Sequence, residues 1–167
     1  MHSLSKIAAV ALALALGGCA TPLFHKAPPV GTPLAELTAR FGQPNEVYAD
    51  PDGGQVLEYR GQPMGQFQHM ARFGADGKLL SYEQVLTSAN FAKVEVNRWN
   101  KDAILRHFGR PAEVARVRLD NAEVWSYRYK QDGVWNSMMN VYFNERGIVR
   151  QLRNEPDPLL DDRYKGF

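Results

Sequence analysis

Apolar and polar positions recur along most of this chain at two spacings, about 3.6 residues and two residues, and together they predict a short helix followed by four strands, twice over. In the first stretch Thr32 is suited to an N-cap and Pro33 to the first helical position, and Leu34, Leu37 and Phe41 fall on one helical face. Strands are predicted at residues 46–49, 56–60, 67–73 and 78–86. They are separated by Asp50-Pro51-Asp52-Gly53-Gly54, Gly61-Gln62-Pro63-Met64-Gly65 and Ala75-Asp76-Gly77, each rich in residues that turn a chain. Phe91 and Val94 stand at helical spacing within 88–96 and predict a short linking helix. The second stretch opens with Asn100 as N-cap and Asp102 in the first turn, where a carboxylate meets the positive end of the helix. Ala103, Ile104 and Phe108 then face inward, and strands follow at 113–119, 122–130, 135–144 and 147–153. Trp125, Tyr127 and Tyr129 share one strand face, opposite Val124, Ser126, Arg128 and Lys130. On the next strand Trp135, Ser137, Met139, Val141 and Phe143 are assigned to the core, and Asn136, Met138, Asn140 and Tyr142 to the other side.

The two stretches echo one another. Phe41-Gly42-Gln43-Pro44 returns as Phe108-Gly109-Arg110-Pro111 at an offset of 67. In both, glycine takes a left-handed position past the helix end and proline forbids continuation. Leu57-Glu58-Tyr59-Arg60 matches Trp125-Ser126-Tyr127-Arg128 at offset 68, and Phe73 to Gly77 matches Phe143 to Gly147 at offset 70. The offset grows where turns fall, since a loop accepts an extra residue and a paired strand does not. The expected fold is therefore α+β: a tandem repeat of a helix plus a four-stranded antiparallel unit, with the helices on one face of the sheet. One eight-stranded sheet would accommodate both units. The repeats span 32–87 and 88–154, and a tail of 155–167 follows, where Pro156 and Pro158 argue against a central strand.

The amino terminus changes the picture. Residues 7–16 form an unbroken apolar run after a short start bearing Lys6, too brief to span about 30 Å of hydrocarbon as a helix. Leu16-Gly17-Gly18-Cys19 follows, an aliphatic residue, two small residues and the single cysteine of the chain. This resembles a bacterial lipobox. Residues 1–18 are read as a lipoprotein signal peptide, Cys19 as the lipidated first residue of the mature chain, and 19–31 as a flexible tether with Pro28-Pro29 extended. A protein with its only thiol acylated has no disulfide and is held to a membrane by its lipid anchor. Ala20 and Thr21, with no Asp after the cysteine, resemble lipoproteins sorted to the outer membrane, facing the periplasm.

Lysine and arginine total 20 against 18 acidic residues, for a net charge of +2, so no basic stripe points to nucleic acid. No nucleophile elbow, zinc-helix motif, Cys-x-x-Cys or phosphate-binding glycine loop occurs, and His69 and His107 lack a second ligand at metal spacing. Asp50-x-Asp52-x-Gly54 lacks the later acids of a calcium loop and is read as a hairpin turn. The expectation is a non-catalytic protein with no cofactor and no metal, which acts through a surface. Met64 and Phe67 at a hairpin tip, with Arg128, Met138, Tyr142 and Arg150 on the uncovered sheet face, are the candidate partner-binding residues.

The helix ending in Phe108-Gly109-Arg110-Pro111, then Trp125-Ser126-Tyr127, then Val141-Tyr142-Phe143 before Gly147 and Val149, resembles the SmpA/OmlA domain of the BamE-like outer-membrane lipoproteins. Two such units in tandem are similar in layout to the β-lactamase inhibitory proteins. Together the resemblances cover about residues 31–154. The first implies a protein-binding lipoprotein linked to outer-membrane protein assembly or envelope integrity, with a barrel-assembly component or other periplasmic protein as partner. The second implies a tandem-repeat inhibitor of a periplasmic or foreign hydrolase. The chain departs from both: BamE-like proteins have one unit, and Gln66 stands where the inhibitors present an acid beside their hairpin aromatic, here Phe67.

Overall fold

The computed structural model describes residues 27–117 and 122–160, so Cys19, the signal peptide and residues 161–167 of the tail lie outside the described residues. Helix α1 (Leu34–Phe41) precedes strands β1 (Glu46–Ala49), β2 (Gln55–Arg60), β3 (Gln68–Phe73) and β4 (Leu79–Gln84). One helical turn, α2 (Ser88–Phe91), leads to α3 (Lys101–Phe108) and to β5 (Glu113–Val117), β6 (Ala122–Gln131), β7 (Trp135–Phe143) and β8 (Val149–Pro156). Both sheets are antiparallel meanders, in the orders β1-β2-β3-β4 and β5-β6-β7-β8. No described helix is long and apolar enough to cross a membrane.

Local signals act largely as the pattern predicts. The Asn100 side chain accepts from Ala103 N at 2.9 Å, and Asp102 lies in the first turn of α3. Thr32 does not cap α1. Pro33 holds the N-cap position without a side-chain bond, and the Thr32 hydroxyl instead donates to Pro29 O at 2.7 Å. Gly42 and Gly109 end their helices at φ +82° and +70°, but with ψ near 180°, in the extended region that only glycine occupies readily rather than the left-handed helical one. Strand β8 runs to Pro156, past the end expected at 153 and into the expected tail. As an edge strand it can end on a proline that has no N–H to donate.

The α+β expectation, with helices on one face of a common sheet, is overturned. The described chain is mostly β: two separate four-stranded sheets with three short helices. Strands β2 and β3 explain why. The pairing of Leu57 with Ala71 puts these residues with Phe73 and Leu79 on one face, where Leu34, Leu37 and Phe41 of α1 cover them. Val56 and Met70 point the other way, and they are as deeply buried. A sheet apolar on both faces needs two covers, which one layer of helices cannot provide. The second cover is α3. Its Ile104 and Phe108 pack with Val56, Met70 and Val85 of the first sheet and with Trp125, Tyr127, Met139, Val141 and Phe143 of the second. Phe108 stacks on Phe91 at 4.6 Å in the centre of this core. The layers thus run helix, sheet, helix, sheet.

A buried polar joint locks α3 in place. The fully buried Glu58 carboxylate accepts from Tyr48 Oη at 2.5 Å, Arg60 Nε at 2.5 Å and Arg110 N at 3.1 Å. Beside it the Gln68 amide donates to Phe108 O, and Tyr127 Oη donates to Gly109 O at 2.9 Å. Three donors satisfy a carboxylate that would be costly to bury alone.

Candidate functional site

The connection between β2 and β3 is fixed from below by the second sheet. Gln62 is buried and donates to Arg128 O at 2.7 Å and Gly65 O at 2.8 Å, while Arg128 N donates to Gln62 Oε1 at 3.2 Å. Gln66 adds a bond to Tyr129 O at 3.3 Å. This leaves Met64 71% and Phe67 50% exposed on a loop whose backbone is held at both ends.

Phe67 begins a row of rings. Its ring lies 5.9 Å from His69, which stacks on Tyr82 at 5.2 Å with planes 17° apart. Tyr82 then meets Phe41 at 5.1 Å and Tyr59 at 6.4 Å, and Arg40 sits over Phe41 at 5.0 Å. The row follows from register. Tyr59 pairs with His69 and Ala71 with Tyr82, so Tyr59, His69 and Tyr82 share the face that carries Leu57 and Ala71. Helix α1 has only eight residues, about 12 Å of length at 1.5 Å each, and six strand residues span about 20 Å. It therefore covers the apolar end of this face and leaves the aromatic end half-buried.

The row is electrically quiet near neutral pH. Burial pushes the Tyr59 phenol up to about 12, with a smaller contribution from Tyr82. Burial also raises Tyr82, against Arg40, and lowers the His69 imidazole. Such a surface offers flat, uncharged, amphipathic rings held in place, the residue types that carry protein contacts.

Two of the expected contact residues, Met64 and Phe67, belong to this end of the molecule. Two others are corrected. Arg128 is buried, 3.2 Å from the fully buried Asp157 carboxylate and 2.7 Å from Glu113, and its Nη1 lies 3.4 Å from Pro63 O. Met138, opposite Arg128 in the register, is also buried. The reason is the chain after β8: Asp157 N donates to Asn136 O at 3.1 Å, Asn136 Nδ2 to Leu160 O at 3.0 Å, and Asn140 Nδ2 to Glu155 at 2.9 Å, so this part of the sheet face is not left open. Tyr142 pairs with Val124, further along the strands, and both it and Arg150 are half-buried away from the row. Trp135, expected in the core, is 67% exposed at the edge of a hairpin. Sequence reading missed Phe41, Tyr59, His69 and Tyr82 as a group. The signal was the ring at alternate positions Phe67 and His69 beside Tyr59, which becomes visible only once the β2–β3 register is known.

No family model matches the chain, and no curated protein matches it. Among solved structures, a DUF4309 family protein (YjgB) from Bacillus subtilis is similar at 10% identity and a TM-score of 0.34, over 75% of this chain and 79% of that one. A likeness this distant assigns neither activity nor partner.

Proposed function

We propose that this chain is a non-catalytic lipoprotein, anchored through Cys19 to the outer membrane and facing the periplasm, that holds an envelope protein on its aromatic row. The observation that carries the reading is the continuous, half-exposed series Phe41, Tyr59, Tyr82, His69 and Phe67, fixed in position by the first sheet. The lipobox at Leu16 to Cys19 supports the anchor, and the BamE-like motifs around Phe108-Gly109 and Trp125 support a barrel-assembly component as partner. A photoreactive residue at Phe67 or Tyr82 in intact cells, read by mass spectrometry, tests it. A crosslink to a barrel-assembly subunit that vanishes in Tyr59→Ala is the expected result. Truncating one central ring should weaken the isolated complex about 30-fold, for a contribution of about 2 kcal/mol. Crosslinks from the row that match those from an exposed control position, Ala75, would refute the reading.

The braced loop favours a second reading, a hydrolase inhibitor that inserts Met64 and Phe67 into an enzyme cleft. It predicts loss of activity in a panel of periplasmic hydrolases at micromolar protein, restored by Met64→Ala with Phe67→Ala. A panel unaffected throughout removes it.

A further inference from the structure

The opposite face of the first sheet carries a cleft that the aromatic row does not touch. Its floor is Val56, Met70 and Val85, with Arg72, Ser81 and Glu83 beside them; the other wall is Lys93, after α2, and Arg106 and His107 of α3. Its volume of about 160 Å³ far exceeds the roughly 10–15 Å³ that one water needs, so a molecule of several heavy atoms fits.

The charges are unevenly matched. Arg72 is paired with Asp50, which lies outside the lining. Lys93 Nζ is held 2.7 Å from the neutral Asn90 Oδ1, and among the described residues none forms an ion pair with Arg106. With Arg72 balanced by Asp50, the lining leaves Lys93 and Arg106 against one carboxylate, Glu83, on an exposed side chain where solvent screens it. Two guanidinium groups and an ammonium line this one small cavity, a set of donors suited to an oxyanion.

We propose that this cleft is a binding site for a small multivalent oxyanion, a phosphate or an organic polycarboxylate, held by Arg72, Lys93 and Arg106. His107 supplies an internal reporter. Burial holds its imidazole below the ordinary range, Arg72 and Lys93 push it further down, and Glu83 opposes them. An anion seated among the cations reverses their effect and moves the His107 titration upward.

The test is a histidine-resolved NMR titration of the full folded chain with inorganic phosphate, with citrate and with sodium chloride at matched ionic strength. Saturable upward movement of His107 with phosphate or citrate, absent with chloride and absent at His69, is expected. Which of the two anions saturates first separates a phosphoryl site from a carboxylate one. Lys93→Gln and Arg106→Gln, both on solvent-accessible side chains, should each weaken the saturating anion tenfold or more while the amide spectrum stays dispersed. Chloride that reproduces the shift, a response that never saturates, or a double variant that binds like the parent overturns the proposal.

Discussion

Replacing Gly109 with alanine tests whether the joint between the sheets works as the geometry implies, because Gly42 provides a matched control. Both residues follow a helix and a phenylalanine, and both have positive φ with ψ near 180°. A side chain in that region costs about 1–3 kcal/mol in either place. The surroundings differ. A methyl on Gly42 meets nothing within 4 Å, whereas on Gly109 it falls 2.1 Å from Gln68 Nε2 and 2.7 Å from Glu58 Cδ. Neither neighbour can swing into water, since Gln68 and Glu58 are fully buried and Glu58 is held by Tyr48, Arg60 and Arg110. If Gln68 yields, it loses its bond to Phe108 O and leaves a buried carbonyl unmet, a further cost of about 1–3 kcal/mol. Urea unfolding followed by tryptophan fluorescence should therefore place Gly109→Ala below Gly42→Ala by about 2–3 kcal/mol, and Gln68→Ala added to Gly109→Ala should return part of the difference. Equal losses in the two single variants would show that the joint has room to give, and the account of α3 locked between the sheets would fail.

Two further outcomes follow from buried charge and buried imidazole. Asp157→Ala leaves the buried Arg128 with the exposed Glu113 as its one carboxylate partner among the described residues, and should cost about 3 kcal/mol, the low end for breaking a buried pair. Arg128→Met with Asp157→Leu should recover most of that loss in the urea midpoint, and no recovery would mean that the pair does more than neutralise itself. His69 and His107 are both held below their ordinary value of 6.5 by burial, so the folded state disfavours their protonation. Their contribution is fully present above 6.5 and is lost as pH falls through the depressed folded values, so the urea midpoint should drop from about pH 7 to about pH 5. His69→Gln with His107→Gln should flatten that decline, and an equally steep profile in the double variant would assign the acid sensitivity elsewhere.

The alternation of Trp125, Tyr127 and Tyr129 with Val124 and Ser126, the Asn100 cap and the Phe-Gly-x-Pro stops are written in neighbouring residues. The order of helices and strands, and most of their limits, could therefore be read without coordinates. These features depend on backbone preferences and on the two periods of side-chain direction, which act within a few residues of themselves. The lipobox-like run Leu16 to Cys19, on which the proposed membrane anchor rests, is likewise a local pattern of neighbouring residues.

What the tertiary structure decided is which surfaces those elements cover. The apolar pairs Val56-Leu57 and Met70-Ala71 put apolar side chains on both faces of the first sheet, against the expectation of one free face, and only packing showed that α3 supplies the second cover. Arg128 and Met138 looked exposed because alternation reports a face and not what folds over it; Asp157 and the turn after β8 close that face. Glu58 finds Arg110 at a separation of 52 residues and Gln62 finds Arg128 at 66. Contacts at that range are chosen by strand register and by the competition to bury apolar area, sums over the whole chain that no local pattern contains. The aromatic row and the cationic cleft are products of the same choice, on opposite faces of one sheet.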